Sequence, residues 1–184
     1  MRQYASGHEE YDFDPTGAYA FRAYTNGKIT PDQTSTGTWS ASADFLTINT
    51  EITQEISPFV VNLDAFSRTQ VYLRKSVAEG GLEGTWEYRV ERFQTKGGQS
   101  DPVLTSTRTD TLVLFGDGTS TFSSQELTAS GVTIGQAIVD RPGTWISEGD
   151  TITVSDSVHV VEFKQVGDRI YDTNSSWIYT FSSE

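Results

Sequence analysis

The chain contains no cysteine in 184 residues, which removes disulfides, thiolate metal sites and a cysteine nucleophile together. Histidine is nearly missing too. His8 and His159 are too few for a histidine-rich zinc site and leave two candidates for a Ser-His-Asp arrangement. Basic residues are scarce, 13 Lys and Arg against 25 Asp and Glu, giving a net charge of −12 that repels nucleic acid and anionic lipid. The cations that exist, such as Arg68, Arg74, Lys75, Arg89, Arg92 and Lys96, are interleaved with acids and apolar residues and form no patch. No apolar run approaches the length of a membrane span, and residues 1–10 hold no apolar leader-like stretch. Walker A, dinucleotide-binding and Gly-x-Ser-x-Gly patterns are absent, so no cofactor is expected.

What is present is aromatic. The hydrophobic fraction of 35% is low, but aromatics reach 12%, with four Trp, eight Tyr and ten Phe, so a few large side chains must carry the core. No stretch keeps apolar residues at helical spacing for three turns, whereas β-branched and aromatic residues alternate with polar ones throughout. In residues 86–91, Trp86, Tyr88 and Val90 point one way and Glu87, Arg89 and Glu91 the other, the pattern of a half-buried antiparallel strand. The same period recurs around Tyr19, Leu46, Val71, Ile152 and Trp177. Turn signals separate these runs at Asp14–Gly17, Thr25–Lys28, Lys96–Gly98, Gly116–Thr119, Glu148–Asp150 and Val166–Asp168. The expectation is an all-β protein of about a dozen strands, an antiparallel up-and-down β-barrel or sandwich.

The chain also resembles itself. Gly37-Thr38-Trp39 is followed by Asp44-Phe45-Leu46-Thr47-Ile48, and Gly143-Thr144-Trp145 by Asp150-Thr151-Ile152-Thr153-Val154, with equal spacing from Trp to Asp. A hairpin precedes each, around Tyr11–Gly17 and Val113–Thr119, and Thr69–Tyr72 parallels Asp168–Tyr171. A third Gly-Thr-Trp, Gly84–Trp86, opens the second unit, and nothing of that form opens the first. The reading is therefore two related units, residues 1–78 lacking an opening strand and residues 79–174 complete. A C-terminal segment, 175–184, would close the first unit in its own chain or in a neighbour by strand addition.

The order of motifs over residues 82–171, from Gly84-Thr85-Trp86 through Asp117-Gly118-Thr119 and Gly143-Thr144-Trp145 to Gly167-Asp168-Arg169-Ile170-Tyr171, resembles bacterial lipocalin-like domains. The resemblance implies small calycin-type barrels, commonly secreted or lipid-anchored, whose larger relatives hold small apolar ligands in the barrel mouth. It carries over no functional residue by motif.

The four Trp, Trp39, Trp86, Trp145 and Trp177, are the candidate ligand-contacting residues, because indole offers a broad apolar face with one donor; packing inside the sheet is the competing and stronger role. Asp12, Asp14, Asp117, Asp150 and Asp168 suggest calcium, but none follows the spacing of a calcium loop and each suits a turn, so no metal site is assigned. His159 reads as a half-buried structural residue within a strand from Val158 to Phe163. Glu91, Glu162 and Asp64 lie in or beside apolar strands, and alternation places such acids on the solvent face; no catalytic residue is assigned. Three functions follow in order: a non-catalytic secreted or envelope-associated binding module holding a small apolar ligand, a structural subunit self-associating through its C-terminal strand, and a barrel enzyme working through carboxylates.

Overall fold

The alternation through residues 86–91 orients its strand as expected: in the computed structural model Trp86, Tyr88 and Val90 are all buried. The structure describes residues 2–4, 7–25, 31, 33–61, 65–67, 71–77, 81–95, 101–173 and 178–180. Trp177, Asp64 and the turn signals at Asn26–Lys28 and Lys96–Gly98 lie outside them. The described residues hold seventeen strands and no helix. The first group is β1 (Arg2–Tyr4), β2 (Gly7–Phe13), β3 (Ala18–Thr25), β4 (Gln33–Ala41), β5 (Phe45–Asn49) and β6 (Thr53–Pro58), followed by the short β7 (Val60–Val61) and β8 (Ala65–Ser67). Then come β9 (Val71–Val77), β10 (Gly84–Gln94), β11 (Val103–Leu114), β12 (Thr119–Thr128), β13 (Ile138–Glu148), β14 (Thr151–Ser155), β15 (Val160–Val166), β16 (Arg169–Asp172) and β17 (Ile178–Thr180). The count exceeds a dozen because strands as short as β1, β7 and β17 are too brief for alternation to register.

Strands β10 to β16 form an antiparallel meander, and β9 pairs with both of its ends, with β10 through Gly84–Glu87 and with β16 through Arg169–Tyr171. Eight strands thereby close into a barrel without a free edge. Residues 71–77, which the sequence groups with 1–78, belong to this barrel by their hydrogen bonds. The segments that resemble each other around Tyr72 and Tyr171 are paired neighbours, with Ile170 opposite Tyr72. The barrel is filled by Tyr72, Trp86, Tyr88, Leu112, Ile152, Phe163 and Ile170 among others, each worth about 1.5–3 kcal/mol on burial.

Strands β1 to β6 form a second meander around a smaller cluster, Tyr19, Leu46 and Ile48 packed by Tyr11, Phe13, Phe21, Trp39 and Phe59. It joins the barrel because β10 is long enough to serve both: beyond Glu87 the strand leaves β9, and its residues Glu91–Gln94 pair with Thr53–Ile56 of β6. Arg169 of β16 adds a second tie, donating to the carbonyls of Phe59 (2.5 Å) and Ala43 and lying 3.2 Å from the Asp44 carboxylate. Strand β17 pairs with β8 of its own chain, which in turn pairs with β7, and β17 also lies beside β1.

Each Gly-Thr-Trp has one geometric job. Gly and Trp, two residues apart, share a strand face. A Cβ on Gly37 would fall 1.8 Å from the Asn49 carbonyl oxygen, one on Gly84 2.3 Å from that of Ser76, and one on Gly143 2.6 Å from that of Ser155. The indole N–H groups then bond backbone: Trp39 to Asp14 O at 2.9 Å, Trp86 to Leu82 O at 3.0 Å and Trp145 to Phe115 O at 2.8 Å. Trp39 N and Trp145 N donate to Gly17 O and Gly118 O, both at 2.8 Å.

Gly143→Ala is expected to cost about 1–3 kcal/mol in urea denaturation, since backbone must shift to admit the methyl, whereas Thr144→Ala beside it stays within about 0.5 kcal/mol. Equal stabilities would refute the close-approach argument. Removing residues 175–184 strips β17 from β8 and is expected to lower the thermal midpoint; an unchanged midpoint would mean that this pairing contributes nothing.

Candidate functional site

The sequence candidates scatter. Trp86 is fully buried in the barrel core, Trp145 packs against that core, and Trp39 packs in the β1–β6 cluster. None of the three lines either of the cavities described below. Asp14 and Asp117 are turn formers, and the side chain and backbone N–H of Thr16 and of Thr119 respectively lower both carboxyl pKa values below the usual range. Among the described residues no group of three or more His, Asp or Glu is placed to hold a metal. Glu91 pairs with Arg89 and Glu162 is exposed. His159 differs from its expected setting: it ends the turn before β15, and its side chain is 58% exposed. The turn is set by Asp156, whose carboxylate accepts from the N–H groups of Val158 and His159 at 2.7 Å each.

The barrel's two ends are unlike. The Trp86 and Trp145 side chains fill the end near the 115–118 turn, while the opposite end, at the 156–159 turn, opens into a cavity of about 290 Å³. Its walls are apolar, with Leu112, Phe122, Ile138, Val154, Val161 and Phe163, and Arg108, Arg141, Asp156, His159, Asp172 and the Tyr72 ring also line it. A volume near the lower bound for small-molecule sites, with a few polar groups converging on an apolar pocket, is the form a ligand site takes.

Arg108 and Asp110 come from the same face of β11. Asp110 is fully buried and holds Arg108 through two bonds, Nε at 3.1 Å and Nη2 at 2.8 Å, while Ser124 Oγ donates to it at 2.5 Å. The pairing raises the Arg108 pKa, and burial together with the Asp110 charge pushes the Tyr72 phenol well above its ordinary range, so its proton stays on. Arg108 Nη1 engages no protein acceptor among the described residues. Arg141 reaches the cavity through a bulge. Asp140 has φ of 43°, in the left-handed region, and its N–H and carboxylate bond the Ser123 hydroxyl at 3.0 and 3.1 Å. The β12–β13 register shifts there. Ile138 and Arg141, an odd number of residues apart, consequently face the same cavity, which a regular strand forbids. Arg141 Nη1 lies 3.2 Å from Asp156 Oδ2 and 3.4 Å from His159 Nδ1. The Val158 and His159 amides and Arg141 hold the Asp156 carboxyl at about 2.

One of these pairs was legible: the phase that buries Leu112 and Leu114 carries Asp110, Arg108 and Ser106 inward as well, so polar residues at interior positions of β11 were the signal. Arg141 gave none, since its inward aim depends on the bulge.

Removing the cation from a buried pair normally costs 3–5 kcal/mol; Arg108 is 38% exposed toward the cavity, so Arg108→Met is expected to cost about 2–4 kcal/mol in urea denaturation. Adding Asp110→Asn should restore most of that loss. A double variant no more stable than the single one would refute the pairing. No protein-family model, no curated protein and no solved structure matches this chain.

Proposed function

We propose that this protein is a non-catalytic binding module built from two related, lipocalin-like units, and that the open end of its barrel holds a small neutral molecule with an apolar body and a hydrogen-bond acceptor. The observation that carries this is the 290 Å³ cavity in which apolar walls meet two guanidinium groups with N–H donors to spare. Charge argues for neutrality. Arg108 and Arg141 are already matched by the carboxylates of Asp110 and Asp156, so a carboxylate ligand would have to compete with an acid that each cation already holds. A purely apolar ligand would displace water from the guanidinium edges without replacing its bonds. Asp110, committed to Arg108 and Ser124, is poorly placed to act as a base, which favours binding over catalysis.

The neutral, carbonyl-bearing fluorophore prodan tests the proposal. Its emission should shift to the blue saturably with wild type, lose the shift with Val161→Trp, which fills the cavity, and bind about 10-fold or more weakly to Arg141→Met. Absence of a saturable shift, or a shift that survives Val161→Trp, would overturn it.

A further inference from the structure

Strands β2–β6 border a second cavity, of about 220 Å³, each of whose lining residues has a counterpart in the lining of the barrel mouth. One constant spacing in sequence relates Tyr11, Tyr19 and Phe21 to Leu112, Ser120 and Phe122. A second constant relates Ser35, Ile48, Thr50, Thr53 and Glu55 to Arg141, Val154, Asp156, His159 and Val161. All of these line their respective cavities. The backbone agrees: Thr50 N donates to Thr53 O at 2.7 Å as Asp156 N does to His159 O at 2.9 Å. Thr50 Oγ1 accepts from the Ile52 and Thr53 amides as Asp156 Oδ1 accepts from those of Val158 and His159.

The frame is shared and the chemistry is not. Where the barrel mouth has Arg141, Asp156 and His159, this cavity has Ser35, Thr50 and Thr53, all hydroxyls. Where the barrel has Leu112 and Ser120, it has Tyr11 and Tyr19. The Tyr11 ring lies beside both of the others, with centroids 4.8 Å apart for Tyr11–Phe21 and 6.4 Å for Tyr11–Tyr19, so they form one wall rather than a cage around a cation. Glu55 is the one Asp or Glu in the lining, its carboxylate 3.5 Å from Arg92 Nε, and an acid at the wall discourages an anion. The volume equals roughly seven waters' share of liquid, enough for one sugar-sized ring and not two.

We propose that this cavity is a second binding site, taking one neutral polyhydroxylated ring, a monosaccharide unit, with its apolar face on the aromatic wall and its hydroxyls toward Ser35, Thr50 and Thr53. The site does not depend on what fills the barrel mouth. Methyl pyranosides of glucose, galactose and mannose, titrated into the full chain and followed by amide and tyrosine NMR shifts, are the test. At least one should perturb the amides of residues 50–53 and the Tyr11 and Tyr19 rings saturably. Ser35→Trp should abolish the effect, Thr53→Val should weaken binding about 2- to 10-fold, and Val161→Trp should leave it intact. Prodan binding in the same variants reports the barrel mouth separately, so either site can fail alone. No saturable shift with any pyranoside, or shifts that persist at wild-type affinity in both Ser35→Trp and Thr53→Val, would overturn the proposal.

Discussion

An indole packed among apolar side chains must still place its N–H on an acceptor, and here each described Trp places it on a carbonyl in the chain segment beside it: Asp14, Leu82 or Phe115. In each case a neighbouring strand also passes so closely that the residue two positions before the Trp has no room for a Cβ. Glycine, threonine and tryptophan thus act as one unit. Glycine admits the crossing strand, the threonine on the opposite face keeps the ladder running, and tryptophan ties the sheet to an adjoining turn or loop. Where this occurs twice at one end of the barrel, with Trp86 and Trp145, that end is filled by rings and the open volume is left at the other.

That asymmetry explains why buried charge is tolerated where it is. A carboxylate as deep as Asp110 would be ruinous among Trp86 and Leu114, but toward the open end it meets Arg108 and Ser124, and Arg108 keeps one edge near water. An apolar filling would be the simpler way to stabilise a barrel of this size. A polar set so placed, aimed at a cavity by a strained Asp140, is spent on something other than stability, which is why the functional reading rests on these residues rather than on the tryptophans.

The local features were open to sequence reasoning. Period-two alternation fixed the inward face of β10, the turn residues marked the hairpins at Gly17, Gly118, Gly149 and Gly167, and the repeated Gly-Thr-Trp marked strands under one constraint. What escaped was non-local. No pattern in Val71–Val77 says that it must bridge β10 and β16, because that choice is made by ladder partners distant in sequence. The shared use of β10 was hidden for the same reason: alternation tells which face is buried, not which strand lies at each edge. His159 was misjudged because an apolar-looking run, Val158 to Phe163, extended over a turn that Asp156 sets through its own side chain.

The two cavities separate what geometry fixes from what it leaves free. At Gly37 and Gly143 the nearest atom is neighbouring backbone carbonyl oxygen, so any larger residue forces the sheet apart. At Ser35 and Arg141, or Thr53 and His159, the side chain borders open volume, and a short hydroxyl stands in one cavity where a long cation or an imidazole stands in the other. Thr50 and Asp156 lie between these extremes. Each must supply an oxygen to two backbone amides, which Thr and Asp both do, yet only one of them brings a charge. A frame pinned by glycine, tryptophan and a turn-forming oxygen can therefore carry Arg141, Asp156 and His159 in one cavity and the hydroxyls of Ser35, Thr50 and Thr53 in the other with the same backbone hydrogen bond at the turn.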